Sequence, residues 1–299
     1  MRVNPDYVTS LVSSLDQTTQ NEQTLTEELS SGVKVNSLSD DPAAAGESVL
    51  LSSELSADDA FSTTASSAEN LLQVSDSALG NVVTQLTTAI SLATQANNGV
   101  LNGSNEQSVA TELTGIRDEV LSLANSSYLG RYIFAGSQGG AQPFTLDTTT
   151  TPATVTYNGD DDVSYVVTPA GQKIQTNVPG DQLFTASGGN VLGALNALIA
   201  DFSSGSSPAT SEADLASLSQ SLNYVDQQRA VIDNSINRLT ASSNYASSES
   251  VQLQSAQDTL IQTDTAQVAT QLNLTETQQA ALTQVIAAIE QQGNLFQAL

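Results

Sequence analysis

The two ends of this chain carry helical seams of one kind, and the middle carries a different pattern. At the front, Val8, Leu15, Glu22 and Leu29 repeat every seven residues. Leu11, Thr18 and Leu25 interleave with them at spacings of three and four. At the back, Ile261, Val268, Thr275, Leu282, Ile289 and Phe296 repeat in the same way, interleaved with Leu272, Gln279 and Ile286. This spacing puts a narrow apolar stripe on a helix, and such a stripe requires a partner helix. About 230 residues separate the two seams. Such an arrangement predicts a part made for assembly, not an enzyme built around a pocket.

Composition narrows the function classes. The 299 residues include 32 Asp and Glu against 7 Lys and Arg, a net charge of −25. That sign disfavours nucleic acid, which rewards clustered cations, and it disfavours anionic membrane surfaces. The chain has no Cys, His or Trp. Disulfides, Cys or His metal sites and His-based acid–base catalysis are therefore excluded. We expect no catalytic residues, no metal and no cofactor. No apolar stretch of signal-peptide length follows Met1, so Sec export is not expected, and no run is long enough to predict a membrane span. The Ser/Thr/Asn/Gln-rich first 25 residues read either as a polar helix face or as an export signal of another kind.

Local signals divide the chain. Pro5 suits a first helical turn, and Gly32 a helix stop after Ser31. Residues 33–42 read as a connection, with Asp41 as the N-cap of a helix opening at Pro42. Helical periodicity covers 43–96, with Leu72, Leu79, Leu86 and Ala93 seven apart. A third helix from about Ser104 places Val109, Leu113, Ile116, Val120 and Leu123 on one face. From Tyr128 the pattern turns to strands. Residues 154–157 and 163–167 are predicted to form a hairpin through Asn158–Gly159, with a third strand at 173–178. Helix resumes near Val191, and the Ser/Gly-rich stretch 203–210 precedes a very long helical segment. Unbroken from 211 to 299, it would be about 130 Å long, so a bend is predicted at 242–250.

The fold expected is mainly α with a β-rich insertion, a long α-helical coiled-coil rod formed by N- and C-terminal segments with a small β domain in the middle. Its divisions are 1–42 and 251–299 as an inner helical layer, 43–128 and 191–250 as a helical rod, and 129–190 as a β-rich outer domain. Asp160, Asp161 and Asp162 lack the ligand spacing of a calcium loop and read as a solvated turn. Arg229, at a seam position, either pairs with acids of a neighbouring helix or lies as a snorkelling surface residue.

One stretch is specific enough to identify a family. Leu29-Ser30-Ser31-Gly32, Lys34-Val35-Asn36 and Asp40-Asp41-Pro42 resemble the N-terminal signature of the flagellin superfamily. Gly130-Arg131-Tyr132-Ile133-Phe134-Ala135-Gly136-Ser137, followed by Pro143-Phe144 and later by Asn177-Val178-Pro179-Gly180, is similar to the hook–filament junction family within it. Pro42 also fits that family better than flagellin. The resemblance implies a structural part of the bacterial flagellum, at the extracellular hook–filament junction and exported by the flagellar type III system. It implies an adaptor ring of identical subunits between the first hook-associated protein and flagellin, with an export chaperone on the C-terminal helix and no nucleic-acid or membrane partner. The alternative is flagellin, the filament subunit itself. The residues expected at subunit interfaces are Val8, Leu11, Leu15, Leu25, Leu29, Leu272, Leu282, Ile286, Ile289 and Phe296.

Overall fold

A computed structural model describes residues 5–98, 103–185, 189–205 and 208–295. The chain divides into two compact units, residues 1–56 with 249–299, and residues 57–248. Seven helices and six short strands are present among the described residues.

In the first unit, α1 (Pro5–Ser31) lies against α7 (Thr265–Leu295). The pair is antiparallel: Gln279 donates to the Thr19 hydroxyl, and Thr263 donates to Glu28. Burial follows the predicted seams. Leu11, Leu15, Thr18, Glu22 and Leu25 are among the covered positions of α1, and Val268, Leu272, Thr275, Gln279, Leu282, Ile286 and Ile289 among those of α7. Thr18 is tolerated in the stripe because its hydroxyl donates to the Ser14 carbonyl at 2.8 Å. Among the described residues of the pair, only Thr18 and Val268 are buried, since two helices alone can cover no more than one stripe of each other.

The second unit has the larger core. α2 (Pro42–Asn97) starts in the first unit and continues here. It buries Phe61, Ala65, Ala68, Leu72, Ser75, Leu79, Val82, Leu86, Ala89, Ala93 and Ala96, an unbroken alternation of four and three. α6 (Pro208–Ile261) runs antiparallel to it: Ser62 meets Ser243, Glu69 meets Thr240, and Asp76 meets Arg229. Leu218, Val225, Ile232, Leu239 and Ala246 of α6 are buried, one every seven residues. Each fully buried Leu contributes about 1.5–3 kcal/mol to the folded state. α3 (Gly103–Ala124) buries Leu113, Ile116 and Val120 and packs on α5 (Val191–Ser204). Asn190 caps α5 by accepting from the Gly193 amide.

Three two-stranded antiparallel sheets complete this unit. β1 (Ser127–Tyr128) pairs with β2 (Arg131–Tyr132), β3 (Phe144–Asp147) with β4 (Thr154–Tyr157), and β5 (Tyr165–Val167) with β6 (Lys173–Gln175). A short α4 (Gly180–Phe184) follows. Phe184 sits edge-on to both Phe134, at 5.5 Å between ring centres, and Phe144, at 5.3 Å. All three rings belong to the same core cluster as the helices.

Two sequence expectations are corrected here. The strand at 154–157 pairs with 144–147 and not with 163–167. Gly159 does not take a positive φ, so the Asn-Gly pair makes no hairpin turn. Instead the Asn158 amide donates to the Pro143 carbonyl, and the Asp160 carboxylate turns back onto Ser137. The tight turns lie elsewhere, at Leu129–Gly130, both with positive φ, and at Gly171. The predicted third strand is shorter than 173–178 because the Asn177 side chain replaces a strand partner, accepting from the Ser164 amide and donating to the Asp162 carbonyl.

The long helix breaks at 262–264, not at 242–250. Within 242–250 the small residues let α6 approach α2: Ala246 is buried and Ser243 reaches Ser62. Asp264 then caps α7 by accepting from the amides of Ala266 and Gln267. Arg229 makes the register pair that was one of its two readings, a bidentate contact to Asp76 at 2.8 and 3.2 Å. Being about a quarter exposed, the pair contributes on the order of 1 kcal/mol or less. Its value is in alignment: a one-turn slip of α6 separates the charges.

Candidate assembly interface

The first signature joins two breaks in the helices of the first unit. Gly32 takes a φ of +73° and its amide donates to Glu28, closing α1. A side chain at this φ is strained, so the position favours glycine. The segment after it pairs with the α6–α7 break. The Lys34 amide donates to the Ile261 carbonyl at 2.8 Å, and the Thr263 amide donates to the Gly32 carbonyl at 3.1 Å. The two halves of the chain are thus sewn together by backbone alone, at residues about 230 apart in sequence.

The acidic pair has a divided task. Asp40 accepts from the amides of Asn36 and Ser37 and from the Ser37 hydroxyl. Those bonds, from Ser37 above all, hold its carboxyl below the usual carboxylate range. Asp41 accepts from the amides of Ala43 and Ala44 and caps α2 ahead of Pro42. Asp41→Ala removes that cap and is expected to cost about 1 kcal/mol, seen as a lower midpoint in thermal denaturation followed by circular dichroism. Ser31 closes a small turn with Val33, and Asn36 donates from its side chain to the Val33 carbonyl. Ser30 is exposed.

The second signature is a core knot in the second unit. Phe134 is buried, and its carbonyl accepts from the Gly180 amide and lies 3.0 Å from the Tyr157 hydroxyl. Gly136 has a φ of +66°, and a Cβ there would lie 2.0 Å from an Asp160 carboxylate oxygen. Ser137 donates to that carboxylate through both amide and hydroxyl, which lowers the Asp160 pKa. The Tyr157 hydroxyl is pushed up to about 12 by burial and then by the Asp181 charge, so it stays neutral. Tyr132 donates its amide to the Gly139 carbonyl, and the exposed Arg131 side chain lies along Gly139. Asn125 clips β3 by bonding both the amide and the carbonyl of Phe144. Nothing in the sequence reading pointed to Asn125, and a lone Asn after a helix gives no such signal.

The predicted interface residues are placed unevenly. Leu11, Leu15, Leu25, Leu272, Leu282, Ile286 and Ile289 are brought together on the α1–α7 seam, each half-buried. Val8 lies in α1, and Phe296 lies outside the described residues. Leu29 departs from the seam: it is 38% exposed, while Glu28 takes the covered position. Further apolar side chains stand in solvent in this unit, among them Leu38, Val49, Leu50, Val251 and Leu274, each more than half exposed. Sequence periodicity missed Val49 and Leu50 because they lie outside the buried stripe. Among the described residues, no three potential ligands cluster to hold a metal ion, and no helix is long and apolar enough to cross a membrane.

Paired terminal helices, an antiparallel helical core and a small strand-bearing insertion make up a mainly α fold with a β-bearing insertion. Residues 7–139 match the bacterial flagellin N-terminal helical region. It is similar to flagellar hook-associated protein 3 of Salmonella typhimurium, 39% identical over 121 residues, and to that of Escherichia coli, 35% identical over 119 residues. Each match spans 40% of this chain and 38% of the relative's length. In fold it is similar to a flagellar hook-associated protein from Vibrio parahaemolyticus, with a TM-score of 0.65 and 24% identity over 74% of this chain and 99% of that one. A hook-associated protein 3 from Legionella pneumophila gives 0.60 at 13% identity, covering 71% and 98%.

Proposed function

We propose that this chain is a structural adaptor of the bacterial flagellum, joining the hook to the flagellin filament. One observation carries the reading: the terminal helices pair along a seam that stays half-open, and further apolar residues of the same unit face solvent. An apolar surface of that kind marks an assembly contact. The names of the curated relatives support the junction over bulk filament. In this reading identical subunits form a ring, with the first hook-associated protein on one side and flagellin on the other. The interface residues are Val8, Leu11, Leu15, Leu25, Leu29, Leu272, Leu282, Ile286, Ile289 and Phe296. Export runs through the flagellar type III channel, with a chaperone on the C-terminal helix. Residues 1–42 and 251–299 form the inner layer, 43–128 and 191–250 the rod, and 129–190 the outer domain. No catalytic step is assigned.

Deleting the gene tests this. Electron microscopy is expected to show hooks without filaments, with flagellin shed into the medium. Normal filaments on the deletion strain defeat the junction role, and long filaments grown by the purified chain alone would mark it as flagellin.

A further inference from the structure

The scarcity of cations makes their placement informative. Of the seven Lys and Arg, Arg117 and Arg229 are used in ion pairs within the chain. The other described ones are Lys34, Arg131, Lys173 and Arg238, and two of these four share one patch of the second unit. The Arg238 guanidinium donates to the Lys173 carbonyl at 3.2 Å, which fixes an α6 cation at the β6 strand. Both side chains are exposed.

The same patch carries apolar surface. The β5–β6 hairpin alternates, with Val166 and Ile174 facing the core and Tyr165, Val167 and Lys173 facing solvent. Val167 stands directly opposite Lys173 in the register. Tyr165 is 52% and Val167 54% exposed. Neither belongs to the core cluster or to the residues packed against it. Apolar residues on the same hairpin face as two of the few cations fit an acidic protein surface.

We infer that this face, Tyr165, Val167, Lys173 and Arg238, docks against the acidic surface of a second copy of the chain. Each copy carries −25, so copies repel unless their few cations meet carboxylates. The same unit offers such carboxylates on α3, where Glu112 and Glu119 are exposed and two turns apart. A cationic face against a different, acidic face is a head-to-tail contact, which closes into a ring when the rotation allows. The inference rests on the ring reading above and adds to it where neighbours touch and what holds them.

The test uses the full chain in detached flagella, with a benzophenone amino acid in place of Tyr165. Irradiation is expected to give a species of twice 31.0 kDa containing only this chain. Lys173→Gln with Arg238→Gln is expected to lower its yield at least fivefold. Lys173→Gln alone keeps the carbonyl that receives Arg238 and is expected to give an intermediate yield with unchanged thermal denaturation. Cross-linking only to another protein, or a yield indifferent to both substitutions, overturns the contact while leaving the junction reading intact. Absence of the unsubstituted chain from detached flagella overturns the junction reading and this inference with it.

Discussion

Removal of residues 280–299 is expected to abolish filament growth while leaving the second unit folded. The truncation takes Leu282, Ile286 and Ile289 from the seam that α7 presents to α1. What remains of α7 is Thr265–Gln279, about four turns, of which only Val268 is fully buried. Isolated helices of that length are marginal in water, so α1 loses most of its partner as well. The core of the second unit shares no residue with the deleted stretch. The measurement is complementation of a deletion strain: motility and filaments near zero, with hooks retained. Circular dichroism of the purified truncation should show the main unfolding transition at its original midpoint. Restored filaments would falsify the role given to this helix.

Phe184→Ala is expected to be the most damaging single substitution in the second unit. The ring is fully buried and stands edge-on to both Phe134 and Phe144. Truncating a buried aromatic costs about 3–5 kcal/mol, as lost transfer energy and as a cavity that neighbours only partly fill. Here the neighbours are poorly able to collapse. The Phe134 carbonyl is fixed by the Gly180 amide, and both backbone groups of Phe144 are held by Asn125. A midpoint fall on the order of 10 °C is expected for a unit of this size. Leu129→Ala, at a position 86% exposed, should stay within about 0.5 kcal/mol and serves as the control.

The helices were legible because their signals are local and repeated. Seven-residue spacing foretold the buried faces of α1, α2, α6 and α7, and Pro5, Gly32 and Asp41 marked helix ends. The strands were not legible in the same way. Asn-Gly is a hairpin signal only when its backbone is free to take positive φ, and here Asp160 and Asn158 are claimed by Ser137 and Pro143 from outside the turn. The break after Ile261 was misplaced for a related reason. The small polar residues at 242–250 look like a weak point in isolation, yet they are what lets α6 approach α2. The decisive signal, Asp264 as a cap, is one residue long. The two signature-like stretches were visible as strings, but their division of labour was not. That Asp40 ties the connection while Asp41 caps the helix depends on atoms three and four residues away.

The hydroxyl-rich helices carry a consequence for how surfaces of this chain meet others. Thr19, Thr26, Thr87, Thr94, Thr270 and Thr283 each give their proton to the carbonyl four residues earlier in the same helix. Their donors are therefore satisfied within the helix. A face built of such groups counts as polar by composition, yet it can be dried against a neighbour without stranding a donor. Such a face is wettable in water and loses little when a neighbouring surface squeezes the solvent out.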